Sequence, residues 1–211
     1  KSKELYMKAL IFAAGLGTRL KPLTDNKPKA LVEVYDEPLL AHVLRKLSQS
    51  GYTEVVINVH HFGEQIIDYI GQHPIEGMDI RISDERTALL DTGGGIRQAG
   101  ELFTQDGKPF LIHNVDIFSN LDLKDFYTTY PTCEGATLLV SERKTSRYLL
   151  FNPTDNRLVG WTNIQTGEVK SPFPNLRVED CCMYAFAGIH LFSQSLLQWM
   201  KDWPSRFSII D

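Results

Sequence analysis

A chain of 211 residues with 43% hydrophobic and 23% charged side chains has enough apolar surface to bury one core and is too apolar for an unstructured polyelectrolyte. A formal net charge of −4 gives no general attraction to nucleic acid or anionic membrane, so neither is expected as a partner and any phosphate site must be assembled locally. No apolar run reaches the roughly 20 residues that cross a bilayer, and Ala9 to Ala14 is too short for a signal core; the expected location is cytoplasmic.

Short strand-like runs alternate with longer helix-like stretches, and no repeat or low-complexity linker interrupts them, the pattern of one α/β domain around a mainly parallel sheet. Lys8 to Ala14 is predicted as the first strand, and the loop Gly15 to Asn26 follows it. Leu39, Leu40, Val43, Leu44 and Leu47 recur at helical spacing, with Gly51 suited to end that helix. Val55 to Val59 is predicted as a strand, Gly63 to Ile70 as a helix and Met78 to Ser83 as a third strand. Phe110 to Val115 is a buried-strand run ending at Asp116, Leu123 to Tyr130 is predicted helical, and Ala136 to Val140 extended. Tyr148 to Phe151 and Arg157 to Trp161 flank Asn152-Pro153-Thr154-Asp155-Asn156, whose proline and Asx residues favour a hairpin turn. Met183 to Phe192 is a further strand, Ser193 to Met200 a short helix, and Phe207 to Asp211 reads as the start of another. Cys133, Cys181 and Cys182 are odd in number, and adjacent cysteines bridge only under strain, so all three are read as free thiols.

The most informative segment is Ala13-Ala14-Gly15-Leu16-Gly17-Thr18-Arg19-Leu20-Lys21-Pro22-Leu23-Thr24, followed by Asp25-Asn26-Lys27-Pro28-Lys29-Ala30-Leu31. Glycines directly after a strand let backbone N–H groups turn toward an anion and let phosphates come close. Leu20 stands where a dinucleotide fingerprint would need its third glycine, and no G-x-x-x-x-G-K-[ST] occurs. Arg19 offers a planar, permanently charged fork for phosphate oxygens, and Lys29 a mobile point charge. Alone, either would be an ordinary surface cation.

The segment resembles the opening of the sugar-phosphate nucleotidyltransferases, approximately A-A-G-x-G-T-R-(L/M)-x-P-L-T followed by P-K-x-L, and meets every fixed position. The resemblance implies a single-domain Rossmann-like (GT-A-like) α/β fold, a three-layer sandwich with a mainly parallel mixed sheet. It implies that an NTP condenses with a sugar 1-phosphate to give an NDP-sugar and pyrophosphate, with Mg2+ as cofactor. Ala14, Gly15, Gly17 and Thr18 would then bind the nucleotide, Arg19 would neutralise the departing pyrophosphate, and Lys29 would hold the reacting phosphates near the α-phosphorus. Lys21 and Lys27 are read as solvent-facing.

Leu90-Asp91-Thr92-Gly93-Gly94-Gly95-Ile96 is read as a second loop at a strand-to-helix junction, because three consecutive glycines carry an entropy cost that a plain turn rarely needs. By resemblance to the family's T-G-G-(G/A)-(I/L) element, Gly93, Gly94 and Gly95 would pack against nucleobase and ribose. Asp91 would meet a ribose hydroxyl or cap a helix beginning near Ile96. Asp116 closes Asn114-Val115-Asp116 at a carboxyl strand end, where open α/β sheets hold ligands. Magnesium takes one or two carboxylates together with phosphate oxygens, and the family's similar N-G-D element points to Asp116 as a metal ligand, with Val115 in place of the usual glycine. A turn-capping carboxylate is the plainer alternative.

The family's second metal aspartate lies in a segment like W-x-D-(V/I)-G-T, which does not occur between Ser193 and Asp211; the expectation is a domain without that segment and with little turnover. His60-His61 is not read as a metal pair, because neighbours on an extended chain point to opposite sides, although one of them could line the acceptor pocket. Ser141, Arg143, Ser146 and Arg147 are either an acceptor-phosphate site or a solvated loop. The N-acetylmuramate uridylyltransferase and mannose or heptose guanylyltransferase branch is the expected one, with base and acceptor open. Competing readings are a phosphocholine cytidylyltransferase, a glycosyltransferase, which would usually carry D-x-D, and a nucleotide-binding regulatory module.

Overall fold

Strand β1 (Met7–Phe12) is apolar nearly throughout because it runs through the middle of the sheet. The computed structural model in which it lies describes residues 6–130 and 134–210; Cys133 and Asp211 fall outside them. A long loop with two 3-10 turns, Thr18–Leu20 and Lys29–Leu31, leads to the small hairpin β2 (Glu33–Val34) and β3 (Glu37–Pro38). Then come α1 (Leu39–Gln49), β4 (Tyr52–Val59), α2 (Gly63–Gln72), β5 (Asp79–Asp84), α3 (Asp91–Glu101) and β6 (Phe110–Asn114). The chain continues through α4 (Leu123–Thr129), β7 (Ala136–Ser141), β8 (Arg147–Phe151), β9 (Leu158–Asn163), β10 (Glu168–Lys170), β11 (Cys182–Phe192) and α5 (Ser195–Trp199).

The strands form one mixed sheet in the order β10-β9-β8-β11-β6-β1-β4-β5, with β7 paired to β11. Its block β6-β1-β4-β5 is parallel, and β11 enters antiparallel beside β6. The period of two along each buried strand sends alternate residues to opposite faces. Ala9, Ile11, Val55, Ile57, Val59 and Leu111 pack with α1, α2 and α4, through Leu40, Leu47, Ile66 and Tyr127. Leu10, Val56, Phe110 and Ile112 pack on the other side with Ile96, Ala99, Leu197 and Met200. Helices thus cover both faces, as the three-layer expectation required.

The first strand stops at Phe12 rather than Ala14, because the next two N–H groups leave the ladder for a side chain. The hairpin is present, closed by Asn152 N–H to Arg157 O at 2.9 Å with Asn156 at φ 55°. A correction concerns the second glycine cluster: it is not a loop ahead of a helix near Ile96 but the first turns of α3, which starts at Asp91. Glycine costs about 1 kcal/mol against alanine inside a helix, so the sequence pattern pointed to a loop. Tertiary contact offsets the cost. A Cβ on Gly93 would overlap the Phe207 ring, one on Gly94 the Ser205 carbonyl oxygen, and one on Gly95 would lie 2.8 Å from Glu85 Oε1.

Residues 207–210 do not begin a helix either. Phe207 O accepts the N–H groups of Gly93 (2.9 Å) and Gly94 (3.3 Å), and Ile209 N–H donates to Thr92 Oγ1 (2.9 Å). Arg97 fastens the preceding stretch by donating to the carbonyls of Met200, Trp203 and Pro204. Those partners draw the segment into an irregular path across α3. Among the described residues no helix is long and apolar enough to cross a membrane.

Candidate active site

The carboxyl ends of β1, β4 and β6 meet at the glycine-rich loop. Val115 N–H donates to Phe12 O at 3.2 Å, so the turn carrying Asp116 starts beside the end of β1. Asp116 is a third exposed and forms an ion pair with Lys29, itself 18% exposed. The sequence therefore brings together across 87 residues the cation and the carboxylate singled out separately. Lys46 of α1 fixes the chain beyond Asp116 by donating to Ser119 O and Oγ, and burial holds its ammonium below the usual lysine range. His113, three residues earlier on β6, is pushed down to about 4 by burial and stays neutral, with Nδ1–H donating to the Asn114 carbonyl.

Within the loop, Gly17 adopts φ 65°, a left-handed conformation that glycine takes without steric cost. Thr24 Oγ1 donates to Gly17 O at 2.9 Å, and a Cβ on Gly17 would come within 2.9 Å of Thr24 Cγ2 and 3.4 Å of Lys29 Cβ. The loop is thereby folded back onto Lys29. Gly15 is exposed, with nothing within 4 Å of its Cβ position, so its backbone can be approached closely. Thr18 and Arg19 are exposed in the 3-10 turn, and Arg19 has no ion-pair or hydrogen-bond partner among the described residues.

Ala14 is placed differently from its glycine neighbours. It is 4% exposed and its N–H points inward to Asn58 Oδ1 (3.2 Å), which also accepts from Ala13 N–H (2.7 Å). Asn58 Nδ2 donates to Glu85 Oε1 at 2.9 Å, and Glu85 Oε2 accepts from Leu90 N–H at 3.2 Å, just ahead of α3. Burial pushes the Glu85 carboxyl above the usual range, against the pull of the Asn58 and Leu90 hydrogen bonds. The family's polar N-x-H element falls on Asn58-Val59-His60, where only a histidine was considered for the acceptor pocket, and Glu85 belongs to no motif. The available signal was one amide in the otherwise apolar run Val55-Val56-Ile57-Asn58-Val59.

Gly95 packs beside Asn58, Glu85 and Phe12, close to the first loop, whereas Gly93 and Gly94 are covered by residues 205–207. Asp91 has φ 63°, and its side chain accepts from Thr92 N–H at 2.7 Å. His60 donates through Nδ1–H to the Glu85 carbonyl (2.7 Å), and His61 lies against Phe62. Arg143 donates to Phe186 O, and both Arg143 and Arg147 are exposed. Lys21 is exposed and pairs loosely with Asp25 at 3.7 Å. Cys181 and Cys182 are free. A cavity of about 440 Å³ between α1 and α2, near Arg45, Tyr69 and His73, contains none of the residues singled out for nucleotide, acceptor or metal.

Asp116 suits one carboxylate position of a magnesium site. It lies in the turn directly after β6, beside the glycine-rich loop, and its partner is a flexible ammonium that other anions can draw away. No cluster of three or more His, Cys, Asp or Glu forms a metal site among the described residues. A lone carboxylate is compatible with an ion that fills its shell with phosphate oxygens and water.

A family model described as Nucleotidyl transferase matches residues 8–148. The chain is 39% identical over 150 residues to an N-acetylmuramate alpha-1-phosphate uridylyltransferase of Neisseria meningitidis serogroup B, covering 71% of this chain and 62% of that protein. It is 31% identical over 204 residues to a mannose-1-phosphate guanyltransferase of Gibberella zeae, covering 94% of this chain and 53% of that protein. The chain thus spans between about half and two-thirds of the length of these relatives. HddC from Yersinia pseudotuberculosis superposes with a TM-score of 0.74 over 97% of this chain and 83% of that one, at 20% identity, a likeness of fold. With its loop, Lys29 and Asp116 all inside the matched span, the chain belongs to the nucleotidyl transferase family.

Proposed function

We propose that the protein transfers a nucleotidyl group from an NTP to a sugar 1-phosphate, giving an NDP-sugar and pyrophosphate. The observation that carries this reading is the meeting of Lys29 and Asp116 beneath an open glycine loop. An acceptor phosphate oxygen forms the new bond to the α-phosphorus as the bond to the bridging oxygen breaks, and the electron pair leaves with pyrophosphate. No covalent intermediate with the protein is needed. Catalysis of this kind is positioning plus neutralisation of charge.

The exposed guanidinium of Arg19 is free to take the β and γ phosphates, where negative charge accumulates as the bond breaks. Lys29 reaches the same space from below. Its ammonium pairs with Asp116, which keeps both side chains at the mouth of the loop. Backbone N–H groups from Gly15 onward complete the phosphate cradle, since those of Ala13 and Ala14 are already used. Magnesium bound by Asp116 would supply further positive charge at the reacting phosphates.

The two relatives act on uridylyl and guanylyl donors according to their names. A panel of the four common NTPs against N-acetylmuramate 1-phosphate, mannose 1-phosphate, glucose 1-phosphate and phosphocholine, scored by magnesium-dependent pyrophosphate release, tests the proposal. Slow release with one sugar phosphate and one or two nucleotides is expected, because the family's W-x-D-(V/I)-G-T segment does not occur between Ser193 and Asp211. Release only with phosphocholine, or nucleotide binding without release from any pair, would overturn it.

A further inference from the structure

We propose that Asn58 is a positioning residue that holds the glycine-rich loop in its phosphate-binding shape and couples it, through Glu85, to the start of α3. The proposal rests on the nucleotidyltransferase reading above and adds to it the residue that shapes the loop from behind.

In an extended chain successive N–H groups point to opposite sides, so the N–H groups of Ala13 and Ala14 can converge on one atom only where the strand has turned. Successive N–H groups in such a turn form a concavity that attracts anions. Asn58 Oδ1 fills it, at 2.7 and 3.2 Å. A neutral acceptor in that position satisfies two buried donors without adding charge. Phosphates are thereby left to the exposed backbone from Gly15 onward.

An asparagine amide can be turned end for end, and the reversed amide would set donors against donors. Glu85 removes that choice. Its Oε1 accepts from Nδ2 at 2.9 Å, which only the NH2 end can supply. Glu85 is itself fixed on several sides: Oε2 takes Leu90 N–H, the backbone N–H donates to Val59 O at 2.8 Å, and the carbonyl meets His60. Gly95 leaves the space for the pair, since a Cβ there would lie 2.8 Å from Glu85 Oε1 and 3.3 Å from Asn58 Nδ2. Asn58 is fully buried and Glu85 is 2% exposed. Neither can bond to water, so displacing either moves the loop, the start of α3, or both.

The test uses calorimetric titration with UTP and with GTP, together with thermal unfolding. Asn58→Ala leaves the two loop donors unmatched, and a shift of the loop by about 1 Å is expected to weaken nucleotide binding and turnover by roughly 100-fold, with KM for the acceptor unchanged. A residue that only stabilises the fold would lower Tm and the folded fraction while the folded molecules kept the parent Kd. That result, or parent affinity in a folded Asn58→Ala, overturns the proposal.

If Asn58→Ala fails to fold, a reversal decides. Asn58→Asp keeps the acceptor for the loop but sets two carboxylates together, so binding should weaken. Adding Glu85→Gln restores the full set of hydrogen bonds with only the one between the two side chains reversed, because the new amide donates to the carboxylate at position 58 and still accepts from Leu90 N–H. Recovery of nucleotide affinity in the double variant supports the coupling; Asn58→Asp alone at parent affinity, or a folded double variant no better than the single, overturns it. A parent that binds none of the four common NTPs would instead sink the nucleotidyltransferase reading itself.

Discussion

Replacing Lys29 by methionine separates a charge kept for chemistry from one kept for the fold. The substitution retains the stem that packs near Gly17 and removes only the ammonium facing Asp116. Asp116 is a third exposed and Lys29 18% exposed, so water can solvate the carboxylate left behind. A pair of that exposure contributes about 0–1 kcal/mol to stability, which for a chain of this size moves Tm by roughly 2–4 °C at most. Turnover should respond on another scale. Removing one preorganised group aimed at developing charge costs about 10²–10³ in kcat, or roughly 2.7–4 kcal/mol. Urea or thermal unfolding, run beside steady-state pyrophosphate release, measures both quantities on one preparation. A loss of stability above about 3 kcal/mol with kcat retained would refute the reasoning and make the ion pair a fastening of the fold. Asp116→Asn serves as the companion variant, with the same small effect on folding and loss of magnesium-dependent turnover expected.

Arg19→Ala should leave Tm unchanged, because the side chain is exposed without a protein partner, and should lower kcat more than nucleotide affinity; steady-state kinetics with equal activity would remove Arg19 from catalysis. Gly94→Ala sets a helix gain of about 1 kcal/mol against an overpacking cost of about 1–3 kcal/mol, because the new methyl meets the Ser205 carbonyl, a backbone atom that cannot rotate away. Net destabilisation by urea unfolding is expected, and a stabilised variant would show that residues 205–207 do not sit on α3. Burial pushes His113 and His190 down to about 4, below the unfolded value of about 6.5. The unfolded chain therefore takes up protons first, and the contribution is complete above pH 6.5 and lost as pH falls toward 4, by up to about 3 kcal/mol for each ring. His190→Leu should flatten that part of the stability curve, and an unaltered slope would count against its burial as a neutral ring.

The parts of the site that were legible in the sequence are those in which residue type and spacing are imposed by the ligand. Gly15, Gly17, Arg19 and Lys29 lie within 15 residues, and phosphate chemistry alone suffices to relate them. Helix α1 was legible for a similar reason, since its apolar spacing answers to one face of the sheet. The glycines of α3 were not legible as helix. Local propensity argued for a loop, and the contacts that reverse the balance come from Glu85 and from Ser205 and Phe207, more than a hundred residues further along the chain. Asn58, although part of the family's polar N-x-H element, showed no role in the sequence because its partners are backbone N–H groups, which every residue possesses. Ala14 shows the consequence most directly. Its place in the motif marked it for nucleotide binding, and its N–H is committed to Asn58, 44 residues away. Where a loop must hold a charged ligand, its composition follows from the ligand, while its shape depends on whichever distant polar atom satisfies the N–H groups facing inward.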